Sequence, residues 1–292
     1  MIRVILWMAA AVLAFAPSLV PAAEPGPGRC AAPLGWTSII PPLERFAARI
    51  NEGGPLTIVA VGSSSTAGTG ASNPDMAYPN RLEAELRQRF PKVDIRVLNR
   101  GKGGEDAPEE LARLGRDVVD LKPDLAIWQV GTNAVLRRDD LAADGALMRE
   151  GVDLLKRAGI DVVLMDLQYA PRVLERTAYS VMEELVAETA DDAHVGLFRR
   201  FALMRYWQRT HGPDASAMIG ADGLHMTDAG YGCLAADLAA ALEANWRAET
   251  KLAHRARGPS ASVAGLPAPP PASSAGVTPP VVVRRNDAIP GN

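Results

Sequence analysis

Cysteine and histidine are scarce in this 292-residue chain, which holds only Cys30 and Cys233 of the first and four of the second. No group among them has the spacing of a metal site, so the sequence gives no reason to expect a metal or a cofactor. Lysine is missing altogether before Lys92. That excludes a phosphate loop in the Gly and Ser-rich run at residues 62–70, because such a loop carries a lysine beside its last glycine. The three spaced glycines of a dinucleotide loop are not there either. The formal net charge is −3, and no cluster of lysine or arginine alternates with aromatics. Nucleic acid is therefore excluded as an expected partner. The chain has no internal repeat.

What is present is the composition of a globular protein with one sizeable core, 48% hydrophobic and 22% charged. Met1-Ile2-Arg3 puts a positive charge ahead of the apolar run from Val4 to Val20, and Pro21-Ala22-Ala23 follows. That order reads as a cleaved signal peptide over residues 1–23. The alternative, a membrane anchor, would use a run of about 17 residues, at the short limit of a span. Cys30 lies beyond Glu24-Pro25-Gly26-Pro27-Gly28-Arg29 and lacks a small-residue lead-in, so lipid attachment is not expected. Export would place the mature chain in the periplasm or outside the cell, with no stable membrane insertion. In that oxidising compartment Cys30 and Cys233 either pair or remain two thiols. Residues 24–40 read as a leader and 41–251 as the globular domain. From about Gly258 the chain becomes rich in Pro, Ala and Ser, and residues 252–292 read as a disordered tail that cannot offset its ordering entropy.

Five apolar runs look like buried strands: Leu56 to Val61, Val93 to Leu98, Leu125 to Val130, Ile160 to Leu167 and Val195 to Phe198. The first four are continuous rather than alternating, as parallel strands covered on both faces must be. Between them Tyr78 to Phe90, Pro108 to Leu121, Asp139 to Ala158 and Arg172 to Ala190 show the three- and four-residue apolar spacing of amphipathic helices. A last helix runs from Thr227 to about Glu249, with Thr227 or Asp228 as its cap. This alternation predicts an α/β fold, a doubly wound, mainly parallel five-stranded sheet with helices on both faces. Its ligands bind at the carboxyl ends of the strands.

Those ends carry the chemistry. The first is followed by Gly62-Ser63-Ser64-Ser65-Thr66-Ala67-Gly68, the second by Asn99-Arg100-Gly101-Lys102-Gly103-Gly104 and the third by Gly131-Thr132-Asn133. Taken singly, each reads equally as a connector or a turn. Together they bring a hydroxyl, backbone N–H groups and an amide around one point, which is the make-up of an oxyanion hole. Asp222-Gly223-Leu224-His225 precedes the last helix, and a histidine with a carboxylate three residues upstream can be held in one tautomer to serve as a base.

In these four blocks the chain resembles the SGNH, or GDSL-like, hydrolases over about residues 55–245. The family's Gly-Asp-Ser-x-Thr-x-Gly aligns with Gly62 to Gly68, and its Asp-x-x-His with Asp222 to His225. The resemblance implies the flavodoxin-like SGNH fold, Ser64 as nucleophile with Ser65 as runner-up, and Asp222 and His225 as its partners. It also implies an oxyanion hole made by Ser64, Gly104 and Asn133. Ser63 and Ala134 depart from the family, which has Asp at both positions. The expected activity is that of an exported serine esterase removing a short acyl group, with a small-molecule or carbohydrate ester as substrate. Two alternatives stand beside it: acyl transfer to a carbohydrate by the same site, and a binding protein that has lost catalysis. Arg137 and Arg138, and the segment Tyr169 to Arg172, leave strand ends beside the site and either line a pocket or start helices.

Overall fold

The computed structural model describes residues 30, 32–33, 38–212 and 217–257. The expected signal peptide, much of the leader and residues 258–292 lie outside them. In chain order the elements are α1 (Glu44–Glu52), β1 (Leu56–Gly62), α2 (Ser64–Ala67), α3 (Tyr78–Arg89), β2 (Ile95–Gly101), α4 (Ala107–Asp117) and β3 (Leu125–Gln129). There follow α5 (Thr132–Arg137), α6 (Leu141–Arg157), β4 (Asp161–Met165), α7 (Pro171–Leu174), α8 (Tyr179–Asp192), β5 (Gly196–Phe198), α9 (Arg200–His211) and α10 (Asp228–Arg257).

The five strands form one sheet in the order β2-β1-β3-β4-β5, and every pairing is parallel. Successive residues point to opposite faces of a strand, so one run of apolar residues serves two cores. Ile58, Ala60, Ile127 and Met165 pack on one side with Phe46, Leu82, Leu86, Trp207 and Leu238. On the other, Val59, Val61, Trp128 and Leu164 pack with Leu114, Met148, Val152, Met182 and Val186. The chain leaves β1 for β2 in one direction and returns past it to β3. The crevice between the carboxyl ends of β1 and β3 is therefore the switch point at which such sheets bind ligands.

Three expectations need correction. The stretch Arg172 to Ala190 is two helices, not one. Val173 of α7 is buried near the loop containing Gly223, whose carbonyl accepts the Arg172 N–H at 3.0 Å, while Met182 and Val186 of α8 are buried over the sheet. One straight helix would not serve both. The last helix continues to Arg257, six residues past the expected domain end at 251. The Gly and Ser-rich run at 62–70 is not only a loop, because α2 begins at Ser64.

Cys30 and Cys233 are joined in a disulfide that fastens the leader to α10 across 203 residues of sequence. Beside it, Trp207 Nε1 donates to the Cys30 carbonyl at 3.0 Å and to Asp237 Oδ2 at 3.2 Å. Burial pushes the Asp237 carboxyl up to about 7, against which the Trp207 N–H pulls. Burial does the same to Asp166, also to about 7.

The sign of the pH effect follows. Between about pH 4 and 7 the folded protein holds a proton on Asp237 that the unfolded chain has released, so stability falls as pH rises through that window. Asp237→Asn keeps an acceptor for Trp207 and removes the titration. The drop in melting temperature from pH 5 to pH 8 will be smaller in this variant than in the wild type, and equal drops would sink the assignment.

Candidate active site

Ser64 is the first residue of α2, immediately past the end of β1, so its N–H has no partner within the helix. Of the three consecutive serines only Ser64 reaches the histidine. Its Oγ lies 2.9 Å from His225 Nε2, and His225 Nδ1 lies 2.5 Å from Asp222 Oδ2. The hydroxyls on either side turn inward. Gln129 Oε1, at the end of β3, accepts from the Ser63 N–H (3.0 Å), the Ser63 hydroxyl (3.1 Å), the Ser65 hydroxyl (2.9 Å) and Thr66 Oγ1 (3.1 Å). Ser63 and Ser65 are buried and Ser64 is half-buried. Ser65, the runner-up nucleophile, is thus committed to the interior.

Asp222 divides its two oxygens between two tasks. Oδ1 accepts the Leu224 and His225 N–H groups, both at 3.0 Å, which closes the loop on itself. Oδ2 is left for the imidazole. Partial burial opposes ionisation, but the Leu224 N–H, the imidazole and the His225 N–H outweigh it and hold the Asp222 carboxyl down at about 2. An ionised carboxylate only accepts, so His225 Nδ1 donates, and in the neutral ring Nε2 keeps the lone pair that faces Ser64. The start of α10 fixes this loop against the first block. Tyr231 donates to the Thr69 carbonyl at 2.7 Å, and Asp228 Oδ1 accepts the Ser72 N–H at 2.8 Å.

The second and third blocks are tied to the first and to each other. Lys102 N donates to the Gly62 carbonyl at 2.9 Å, and a Cβ on Gly103 would stand 3.9 Å from that of Ser64. The buried Arg113 holds both blocks from below, donating to the carbonyls of Arg100 (2.8 Å) and Gly62 (3.1 Å) and to Glu105. Asn133, in the first turn of α5, donates one amide hydrogen to the Glu105 carbonyl at 2.7 Å. Its second amide hydrogen remains available. Asp106 completes the tie by accepting the Gly131 N–H at 3.1 Å. The Ser63 departure is explained by its two bonds to Gln129. Ala134, where the resemblance has Asp, is fully buried.

Of the flanking residues singled out from sequence, Arg172 sits at the start of α7 against Gly223. Arg137 pairs with Glu109 and Asp139, so it stays on the surface network rather than lining a pocket. Gln129, Arg113, Asp106, Gln168 and Arg200 were not foreseen. For Gln129, Gln168 and Arg200 the one signal was a polar residue in or just after an apolar run, whereas nothing local marked Asp106 or Arg113.

Residues 29–248 match the model of the non-GDSL lipase-like family. The chain belongs to that family. No curated protein sequence matches it. Among solved structures, a two-domain esterase active on acetylated mannans, crystallised with mannopentaose, superposes with a TM-score of 0.61 at 21% identity, over 72% of this chain and 56% of that one. The chain therefore spans little more than half of that esterase. Axe2, an acetylxylan esterase from Geobacillus stearothermophilus, gives a TM-score of 0.55 at 21% identity over 65% of this chain and 95% of that one. TesA gives 0.54 at 23% identity, over 65% and 99%. The family resemblance carried by the four blocks and the doubly wound parallel sheet are both borne out.

Two glycines test the site's construction. A Cβ on Gly101 would fall 2.1 Å from the Ala67 nitrogen, so Gly101→Ala must push β2 off the turn that carries Ser64. Gly104 has open space around its Cβ position but a φ of +81°, which side chains rarely adopt. Gly104→Ala should cost only about 1–2 kcal/mol of stability. Gly101→Ala should cost roughly 3 kcal/mol or more, since backbone rather than a flexible side chain must move. Urea unfolding of both variants measures this, and equal losses would contradict the close approach.

Proposed function

We propose that the protein is an exported serine esterase that removes short acyl groups, acetyl above all, from carbohydrate esters. The observation that carries this reading is the continuous hydrogen-bond chain from Ser64 through His225 to Asp222. His225 Nε2 takes the Ser64 proton as Oγ attacks the ester carbonyl. The negative oxygen of the tetrahedral intermediate is met by the N–H groups of Ser64 and Gly104 and the second amide hydrogen of Asn133. Collapse passes the proton from His225 to the departing alcohol and leaves the acyl group on Ser64. Water, deprotonated by the same imidazole, then releases the acid and restores the serine.

Carbohydrate as the alcohol is supported by the mannan and xylan esterases that share the fold. Export is supported by the disulfide and by the sequence of residues 1–23; among the described residues no helix is long and apolar enough to cross a membrane. The site as read uses no cofactor.

The test is hydrolysis of p-nitrophenyl acetate, longer p-nitrophenyl esters and acetylated oligosaccharides by residues 24–292. Ser64→Ala and His225→Ala should lose turnover by several orders of magnitude, because nucleophile and base act as one unit. Asn133→Ala should lose on the order of a hundredfold with its circular dichroism unchanged. A fluorophosphonate should label the wild type and Ser65→Ala but not Ser64→Ala. A chain that neither labels nor cleaves any ester would be a binding protein. Acylated sugar formed faster than free acid in the presence of a polyol would make it a transferase.

A further inference from the structure

Arg200 is fully buried, with no solvent exposure at all, yet no carboxylate forms an ion pair with it among the described residues. Burying a guanidinium without a paired carboxylate is costly, and its Nε has no hydrogen-bond partner among the described residues, so the bonds of its two terminal nitrogens carry the compensation. Burial lowers its pKa to about 10, opposed chiefly by Asp166 at longer range, so it stays charged at neutral pH. The position is specific: Arg200 opens α9 directly after β5, which puts it at the carboxyl edge of the sheet, beneath the candidate site.

Its two terminal nitrogens reach in two directions. Nη1 donates to Ser65 Oγ at 2.9 Å, and Ser65 is the residue after Ser64. Nη2 donates to Gln168 Oε1 at 2.8 Å, and that same oxygen accepts the Thr132 hydroxyl at 3.0 Å. Thr132 is the residue before Asn133. Arg200 is thereby linked, through one bond on one side and two on the other, to the neighbours of the two residues on opposite flanks of the proposed oxyanion site.

A guanidinium can only donate, and this decides the direction of every bond around it. With its oxygen occupied by Arg200, the Ser65 hydroxyl must send its hydrogen to Gln129. Gln129 Oε1 has two lone pairs for four donors. Thr66 has a second partner in the Tyr78 hydroxyl at 3.3 Å, whereas the Ser63 N–H and the Ser65 hydroxyl have no such freedom. Without Arg200 the Ser65 hydroxyl could rotate, and the nucleophile turn would have more than one bonding pattern.

We propose that Arg200 is the positioning residue of this site, a buried clamp whose planar fork fixes the nucleophile turn to the first turn of α5 and so sets the spacing between Ser64 and Asn133. The inference rests on the serine esterase reading above. It predicts a loss confined to the chemical step, because Arg200 touches neither Ser64 nor any surface a substrate reaches.

The test compares kcat and KM on p-nitrophenyl acetate for Arg200→Lys, Arg200→Gln, Ser65→Ala and Thr132→Val, with melting temperatures measured alongside. Lysine keeps the charge but cannot bridge two acceptors as a fork. Arg200→Lys and Arg200→Gln should therefore both lower kcat by at least about tenfold with KM within about twofold, as a misplaced but intact site does. Ser65→Ala and Thr132→Val leave the guanidinium in place and each cut one arm of the clamp. They should show the same kcat-only loss, smaller in size, with fluorophosphonate labelling retained but slowed. Where the Arg200 variants do not fold, these two decide. A folded Arg200→Lys, or the pair Ser65→Ala and Thr132→Val, with kcat equal to the wild type overturns the clamp. Wild-type protein without esterase activity fails earlier and differently, since it removes the reading on which the clamp depends.

Discussion

Gln129 Oε1 is the point at which the sheet grips the turn from Ser63 to Thr66. It ends a strand that is buried throughout, and a polar group there must be satisfied from within the protein. The donors come from Ser63, Ser65 and Thr66, all in the one turn that leaves β1 next door. For these to converge on a single oxygen, α2 must begin at once after Gly62. Its inward side is then taken by Ser63, Ser65 and Thr66, and Ser64 is the hydroxyl left facing out. The selection of one serine among three is a consequence of this buried acceptor, not of anything in the serines themselves. A family pattern with Asp in place of Ser63 would bring a carboxylate to an oxygen that needs donors, which accounts for the departure here.

The remaining ties spread outward from that grip. The parallel order puts β1 between β2 and β3, so the loops after all three begin at the same level, with Gly62 paired to Gly101. Arg113 fastens the first two blocks through their carbonyls, and Asp106 and Asn133 fasten the second to the third. The last block is arranged on a different principle. Asp222 folds its own loop with one oxygen and orients the imidazole with the other, so His225 is positioned locally and then delivered by the packing of α10.

The parts legible in the sequence were those in which several residues repeat one physical requirement. The runs at 56–61 and 125–130 are apolar throughout because both faces of each strand are covered, and this is why the parallel sheet could be read. The four blocks were legible because glycine, hydroxyl, amide and imidazole recur at strand ends in a fixed order. Single residues whose meaning depends on one distant partner were not. Gln129 and Gln168 look like the frayed ends of apolar runs, and Arg200 looks like the first charge of a surface helix. Nothing local distinguishes a buried guanidinium from an exposed one. The helices α2 and α5 were missed for a related reason. Both are short and open directly after a glycine-bearing strand end, α2 on Ser-Ser-Thr and α5 on Thr-Asn, residues that suit a turn, and tertiary bonds to Gln129 and Gln168 override that preference.

The buried arginine follows from the same geometry as the site above it. In a parallel sheet every strand points its carboxyl end the same way, so the loops that carry chemistry all crowd one edge. Those loops leave inward-facing oxygens on Ser65, Gln129, Gln168 and Asp166 within a small volume. Asp166 takes the Phe201 N–H and Gln168 the Thr132 hydroxyl, and each has lone pairs left over. A neutral donor could serve one of these oxygens, whereas a planar cation serves two at a fixed separation and draws Asp166 by charge. Arg200, the first helical residue after the shortest strand, is placed where its fork spans β1 and β4 across the end of the sheet. The desolvation it suffers is offset only if both acceptors are held at the right distance. The requirement runs in both directions: the loops hold the cation, and the cation fixes the loops.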